Sequence, residues 1–304
     1  MRSILIPLDG SAFSATALPM AVKLARAAGA RIKLVRVHEP FLALVPAVEV
    51  PMPAPPDDAE LRKQEETHLA ETAAALGVVG PSKVEHELLV GLAANALTEA
   101  IERDRPDLVV MSTHGRGPLS RFWLGSVADH LVRHVSVPLL LLRPSEDEKL
   151  PAEPAIRSIL VPLDLSGSAE SILGPVTELA QITRAKVTLL HVLEPILGIG
   201  GALPSYPVVV PDELMDSSRK AATGRLETAA RPLRALGIQV ETEVAVGVGV
   251  AGTVLELLQQ GDHDLVAMAT HGAGGMKRLL VGSVADKVVR GSDRPVLVLR
   301  PEGG

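Results

Sequence analysis

Two glycine-punctuated loops are the parts of this sequence whose residue types and spacing could do chemistry. In each loop nine residues separate two glycines and a serine follows the second glycine, in Gly115 to Ser126 and in Gly272 to Ser283. Glycine has no Cβ, so its backbone can approach an anion closely. A helix that starts after the loop adds unpaired N–H groups and the positive end of its dipole. The spacing therefore predicts a phosphate-binding loop in each half, with the serine capping the helix and bonding a phosphate oxygen.

Charged and titratable residues lie near these loops. Asp9 and Asp164 each end a predicted strand and suit an adenine amino group or a ribose, although capping the next helix is an alternative role. His114 and His271 recur at matching loop positions. Because neither copy shows a nucleophile, a base and an orienting group together, we interpret these histidines as loop-shaping residues. The remaining histidines show no metal-ligand spacing, so no protein-bound metal is expected.

The cations in the two loops differ. Arg116 follows the first loop's glycine, whereas Lys277 lies in the second loop. Either side chain could neutralise phosphate charge.

Alternating periodicities predict the elements that must position these residues. In the first half the predicted strands are 3–8, 31–37, 83–90, 107–112 and 138–142, and the predicted helices are 14–28, 57–76, 95–103 and 127–134. Strands that alternate with helices form a parallel sheet with helices on both faces. Ligands of such sheets bind outside the carboxyl ends of the strands.

The second half repeats the first. Residues 3–9 recur as 158–164, and residues 125–129 recur as 282–286. The sequence therefore predicts an α/β protein with two tandem, doubly wound, five-stranded parallel sheets of Rossmann-like type. The predicted domains are 1–145 and 155–304, joined by a charged, proline-bearing linker at 146–154.

Composition excludes several classes of protein. The net charge is −6 and aromatic residues make up 2%, which gives neither a basic footprint nor stacking platforms for nucleic acid. No run approaches the roughly 20 apolar residues of a membrane span. The absence of cysteine suits a reducing compartment. We expect a cytoplasmic protein that binds neither nucleic acid nor membrane.

Two further patterns have alternative interpretations. Gly247 to Gly252 spells a dinucleotide fingerprint, but it follows the third strand and lacks the acidic residue further on, so we interpret it as a tight turn. The proline-rich segments 40–56 and 195–211 are interpreted as mobile loops over the site, with partner docking as the alternative.

The whole chain resembles a tandem member of the universal stress protein family. That family's nucleotide pattern is Gly-x2-Gly-x9-Gly-(Ser/Thr), and both copies match it from the second glycine onward. Ser112 and Ala269 stand where the family has its first glycine. The first copy is expected to be the better site, because Ala269 offers no hydroxyl to a ribose.

The resemblance implies ATP or ADP as the ligand, with Mg²⁺ or Mn²⁺ carried on the phosphates. It also implies that Val37 and Val192 read adenine through their backbones. The implied contact residues are Pro7, Leu8, Asp9, Val37, Ser112, His114, Gly115, Arg116, Gly117, Gly125, Ser126 and Val127 in the first copy, and Pro162, Leu163, Asp164, Val192, Ala269, His271, Gly272, Gly274, Gly282, Ser283 and Val284 in the second.

The implied function is a binding or signalling module in stress response. A slow ATP hydrolase of the same fold and a scaffold that binds no nucleotide are the alternatives. The last strands, 137–142 and 295–299, are apolar and would be exposed edges. They are expected to pair the two halves as an intrachain pseudo-dimer, and two chains are expected to form a homodimer.

Overall fold

The computed structural model describes residues 1–40, 58–79, 83–113, 124–143, 155–194, 212–270 and 282–301. The chain divides into two compact units. Unit 1 is Met1–Ala155 together with the C-terminal segment from Pro295, and unit 2 is Ile156–Arg294. The predicted linker falls outside the described residues, and the predicted domain boundaries stay a prediction.

The first copy of the repeat alternates strands and helices, as its periodicity predicts. In chain order the elements are β1 (Ser3–Pro7), α1 (Ala12–Ala15), α2 (Leu18–Ala28), β2 (Arg31–His38), α3 (Asp58–Val79), β3 (Val84–Val90), α4 (Ala93–Asp104), β4 (Leu108–Ser112), α5 (Ser126–His134) and β5 (Leu139–Leu142).

The second copy repeats the order. Its elements are β6 (Ser158–Pro162), α6 (Gly167–Glu170), α7 (Leu173–Thr183), β7 (Lys186–Leu193), α8 (Asp212–Ala235), β8 (Val240–Val246), α9 (Val250–Gln259), β9 (Leu265–Ala269), α10 (Ser283–Gly291) and β10 (Val296–Leu299). No helix in the described ranges combines the length and the apolar composition that spanning a bilayer requires.

The strand order confirms the predicted fold class. In unit 1 the order is β3-β2-β1-β4-β5-β10, and in unit 2 it is β9-β6-β7-β8. The strands from β3 to β5 pair in parallel, and so do those of unit 2. This is the order of a doubly wound sheet. The last strand, β10, lies in unit 1 and pairs antiparallel with β5, with Val296 opposite Leu141 and Val298 opposite Leu139.

Apolar runs form the central strands because these strands are covered on both faces. Ile4, Leu5 and Ile6 of β1 are at most 1% exposed, and every residue of β4 and β5 is buried. The outer strand β3 is only half-buried and carries Glu85 and Glu87. Charged residues on an outer strand discourage pairing with another chain.

The single helix predicted over residues 14–28 is wrong, because the structure has two helices there. Helix α1 ends at Ala15, and α2 begins at Leu18 with Pro19 at its second position. Proline has no N–H to donate to a carbonyl four residues earlier, so it is tolerated in a first turn and interrupts a longer helix. The second copy shows the same break between α6 and α7.

An aspartate at the start of β4 fastens that strand to β1. Asp107 Oδ2 accepts the N–H groups of Arg2 and Ser3 at 2.6 and 2.9 Å. Asp264 makes the same pair of contacts with the residues at the start of β6, at 2.8 and 3.2 Å. Burial opposes ionisation of Asp107, but these N–H donors outweigh it and leave the pKa of Asp107 below its usual value.

Candidate functional site

A cavity of about 190 Å³ lies in unit 1 at the carboxyl ends of β1, β2 and β4. Its walls come from those strand ends, from α1, and from the first turns of α4 and α5. The lining residues are Pro7, Leu8, Asp9, Ser14, Val35, Val37, Ala93, Leu97, Met111, Ser112, Thr113, Gly125, Ser126, Val127 and Ala128. The location is the one that the strand order predicts for a ligand.

The cavity brings together the first-copy contact residues that the structure describes. These residues are Pro7, Leu8, Asp9, Val37, Ser112, Gly125, Ser126 and Val127. The other predicted positions, His114, Gly115, Arg116 and Gly117, lie outside the described residues, as do His271, Gly272 and Gly274 of the second copy. Their contact with a nucleotide stays a prediction.

Asp9 shapes the turn that follows β1. Its Oδ1 accepts the N–H of Ser11 at 2.8 Å and the Ser11 hydroxyl at 2.6 Å. Ser11, and not Asp9, is the N-cap of α1, since its Oγ accepts the N–H of Ser14 at 3.1 Å. The alternative role of Asp9 as the helix cap is therefore wrong. Asp164 makes the same two contacts with Ser166, at 2.9 and 2.6 Å.

The backbone of Val37 faces the cavity. The carbonyl of Val35 accepts the N–H of Leu8 at 2.8 Å, whereas the carbonyl of His38 accepts the N–H of Gly91 at 3.0 Å on the other side of β2. Backbone groups of alternate residues in a strand point to opposite neighbours. The N–H and carbonyl of Val37 therefore point to the β1 side, where β1 has already ended. They form a donor and acceptor pair that could read the edge of a base.

The second glycine of the loop closes the backbone against β4. The Gly125 N–H donates to the Thr113 carbonyl at 2.8 Å, and a Cβ at Gly125 would lie 2.9 Å from that same oxygen. Gly282 repeats the arrangement with Thr270, at 2.7 Å for the hydrogen bond and 3.0 Å for the Cβ. This position requires glycine because the strand end and the helix start are in backbone contact.

The first turn of α5 supplies N–H groups to the cavity wall. Gly125 is the N-cap residue, and no described side chain caps this helix. The prediction that the Ser126 hydroxyl caps the helix is therefore wrong, and so is the same prediction for Ser283, since Gly282 is the N-cap of α10. The first N–H groups of a helix have no carbonyl partner inside it. With Ser126 at the first helical position, they suit an anion.

A cluster of hydrogen-bonded polar side chains packs behind the Asp9 turn. The guanidinium of Arg36 donates to Glu65 at 2.8 Å, and His38 contacts Glu65 at 2.7 Å and Asp58 at 3.1 Å. A Cβ at Gly10 would lie 2.5 Å from Arg36 Nη1, and Gly10 has φ +79°. These contacts connect the first two turns of α3 to β2 and hold the strand end below the cavity.

The second copy builds the same turn differently. Leu165, with φ +64°, stands in the place of Gly10. His191 replaces Arg36, and its Nδ1 donates to the Leu163 carbonyl at 2.7 Å. Arg225 of α8 donates to the Leu165 carbonyl. A guanidinium therefore lies beside this turn in both copies, although it comes from a strand in one and a helix in the other.

The cavity walls differ between the copies at five positions. The N–H of Leu163 donates to the Leu190 carbonyl, just as the N–H of Leu8 donates to the Val35 carbonyl. These matching hydrogen bonds show which residues of the two copies occupy equivalent positions. The pairs that differ are Ser14 and Ala169, Val35 and Leu190, Ala93 and Val250, Leu97 and Val254, and Ser112 and Ala269. Unit 2 therefore lacks two hydroxyl groups and carries larger side chains at two of the three differing apolar positions.

Several wall residues carry no sequence motif that marks them. Ser14, Ala93 and Leu97 lie on helices that only the topology brings beside β1 and β4.

The glycine-rich stretch 247–252 is the turn into α9, with Gly249 as the N-cap at φ +92° and Thr253 packed against Gly247.

Comparison with known proteins places this geometry in a family. The universal stress protein family model matches residues 1–143 and 155–300. A universal stress protein of Mycolicibacterium smegmatis is 27% identical over 311 residues, spanning 98% of this chain and 97% of that protein. One of Thermus aquaticus is 31% identical over 142 residues, spanning 47% of this chain and 98% of that protein.

A solved structure supports the same fold. The universal stress protein of Archaeoglobus fulgidus covers 98% of this chain and 96% of its own, with a TM-score of 0.65 and 18% identity. The family model spans nearly all of both copies, and the sheet order agrees with the structural likeness. The chain therefore belongs to the universal stress protein family, of which it is a tandem member.

Proposed function

We propose that this universal stress protein binds ATP or ADP in the cavity of unit 1 and acts as a binding or signalling module. The observation that carries the proposal is the meeting of three features around one cavity. They are the Asp9 carboxylate, the open backbone edge of Val37 and the first turn of α5. The Asp9 carboxylate suits an adenine amino group or a ribose, the backbone of Val37 suits the edge of the base, and the first turn of α5 suits the phosphates.

The base would lie between β1 and β2. The N–H of Val37 can donate to a ring nitrogen, and its carbonyl can accept from an exocyclic amine. Val35, Leu97 and Met111 give the cavity apolar walls for a flat ring. Ligand pockets commonly combine apolar walls with a few placed polar groups.

The phosphates would lie at the other end of the cavity. The first N–H groups of α5 and the Ser126 hydroxyl offer donors there. Among the described residues, no group of three or more acidic or histidine side chains could hold a metal ion. We also propose that a Mg²⁺ or Mn²⁺ ion would be carried by the phosphates.

We propose that unit 1 holds the stronger site. Ser14 and Ser112 line its cavity, whereas Ala169 and Ala269 occupy those positions in unit 2. Leu190 and Val250 are larger than their counterparts and would narrow the second site.

We also propose that the protein is cytoplasmic, that it forms a homodimer and that it binds nucleotide without rapid turnover.

Equilibrium dialysis of labelled ATP against the full chain tests the proposal. We expect one stronger site per chain, which Ser112→Ala weakens and the matched change Ala269→Ser leaves intact. No binding at millimolar ATP would refute nucleotide binding. Two sites of equal affinity would instead refute the preference for unit 1.

A further inference from the structure

Two histidines on α5 lie one helical turn apart. His130 and His134 are four positions apart, and their ring centroids are 4.0 Å apart with the planes inclined by 16°. Side chains at this spacing share one helix face. The same spacing places two histidines on one metal in helical zinc sites. In the second copy α10 carries Lys287 and Gly291 at these positions, so the pair belongs to the first copy alone.

A backbone contact sets the tautomer of one ring. The Nδ1 of His134 lies 2.7 Å from the His130 carbonyl oxygen. A carbonyl oxygen only accepts, so Nδ1 carries the proton and Nε2 of the neutral ring keeps its lone pair. Metal-binding histidines characteristically donate their second ring nitrogen to a carbonyl or carboxylate in this way.

The charges around the pair are mixed. Asp129 is paired with Arg133 at 2.8 Å, and Arg300 donates to the His134 carbonyl at 3.0 Å. The cation of Arg300 opposes a bound metal, whereas the negative helix C-terminus attracts one.

We propose that His130 and His134 form a two-imidazole chelate for a late first-row divalent transition ion, such as Zn²⁺ or Ni²⁺. Imidazole nitrogen suits these ions better than it suits Mg²⁺ or Mn²⁺. A shared ion requires the His130 ring to turn out of the stack until its Nε2 meets that of His134, while the His134 Nδ1 keeps its carbonyl contact. Water completes the coordination of the ion. The spacing of the histidines in the sequence predicts no protein-bound metal, and the stacked pair revises that expectation.

Titration of the tag-free full chain with Zn²⁺ tests this proposal. We expect one site per chain whose affinity falls by about tenfold or more in His130→Gln and in His134→Gln, since loss of a supporting contact alone costs about 10–100-fold. His68→Gln and His86→Gln are matched controls, because each removes a solitary exposed histidine. Equal affinity in the wild type and His134→Gln would overturn the proposal, and so would an equal loss in the controls.

A second measurement needs no variant. Imidazole proton resonances of the wild-type chain are followed by NMR as one equivalent of Zn²⁺ is added. We expect the signals of two histidines to move together and to return when a chelator is added. Movement of a single histidine, or of a different set, would overturn the proposal even if a glutamine variant failed to fold.

Discussion

Gly125→Ala should weaken ATP binding and Gly282→Ala should not, although both changes should lower the free energy of unfolding by similar amounts. In Gly125→Ala the new Cβ would lie 2.9 Å from the Thr113 carbonyl oxygen. That oxygen cannot withdraw freely because it accepts the Gly125 N–H at 2.8 Å. The start of α5 must therefore move away from β4.

The size of the effect follows from these contacts. Forcing an extra carbon into a packed site costs about 1–3 kcal/mol of folding free energy. Gly282→Ala meets the Thr270 carbonyl at 3.0 Å and should cost a similar amount. Loss of one hydrogen bond to a charged phosphate costs about 1.5–3 kcal/mol. We therefore expect ATP affinity to fall by about ten- to a hundredfold in Gly125→Ala alone.

The assay combines two measurements on each variant. Urea unfolding gives the loss of stability, and calorimetric titration with ATP gives the affinity at a temperature where both variants are folded. Equal losses of affinity in the two variants would show that the change acts through stability. Unchanged affinity in Gly125→Ala would refute a phosphate site at the start of α5.

Three further predictions concern stability. Asp107→Ala should destabilise the protein by about 1–3 kcal/mol at neutral pH, because two backbone N–H groups lose a charged acceptor. The lowered pKa of Asp107 makes this contribution present above about pH 4 and lost as the pH falls through the folded-state pKa, so urea midpoints of variant and wild type should converge in acid. Burial lowers the pKa of His263, so the wild type should lose stability as the pH falls below about 6.5 and His263→Gln should lose less. Gly10→Ala should cost about 1–2 kcal/mol, since φ is +79° and the methyl group meets Arg36.

Each of these predictions has a control. Asp293→Ala is the control for Asp107→Ala, because it removes a carboxylate near the chain's last strand. It should change the urea midpoint little. An equal loss of stability in Asp293→Ala would contradict the fastening role of Asp107. An identical pH profile for His263→Gln and the wild type would exclude His263 as the source of the slope. Adding Arg36→Ala to Gly10→Ala should separate the steric part from the backbone part. If Gly10→Ala lowers the free energy of unfolding by the same amount in the Arg36→Ala background as in the wild type, the backbone alone explains the cost.

Local patterns were enough to predict most elements of each copy. The apolar run at the chain start became the buried strand β1, because a parallel central strand is covered on both faces. Gly125 and Gly282 end the repeated Gly-x9-Gly spacing, and their role in phosphate binding stays a prediction. The structure adds a local reason for glycine at this position, since a Cβ at Gly125 would collide with the backbone oxygen of Thr113.

Other features depended on which elements become neighbours. The open backbone edge of Val37 exists because β1 ends before β2 does, and no pattern within β2 shows where its neighbour ends. Ser14 and Leu97 became cavity walls only when the sheet order placed α1 and α4 beside it. Ser126 is helical and not a cap, because Gly125 adopts the N-cap conformation.

The sequence by itself determined the repeat and the fold class, since matching segments show the repeat directly and local periodicity predicts the alternating strands and helices. Tertiary structure alone decided the walls of the cavity and the antiparallel direction in which β10 pairs with β5. The physical reason is that cavity shape and strand direction depend on distances between residues far apart in the chain. A chain pattern records the order of those residues, whereas packing sets the distances.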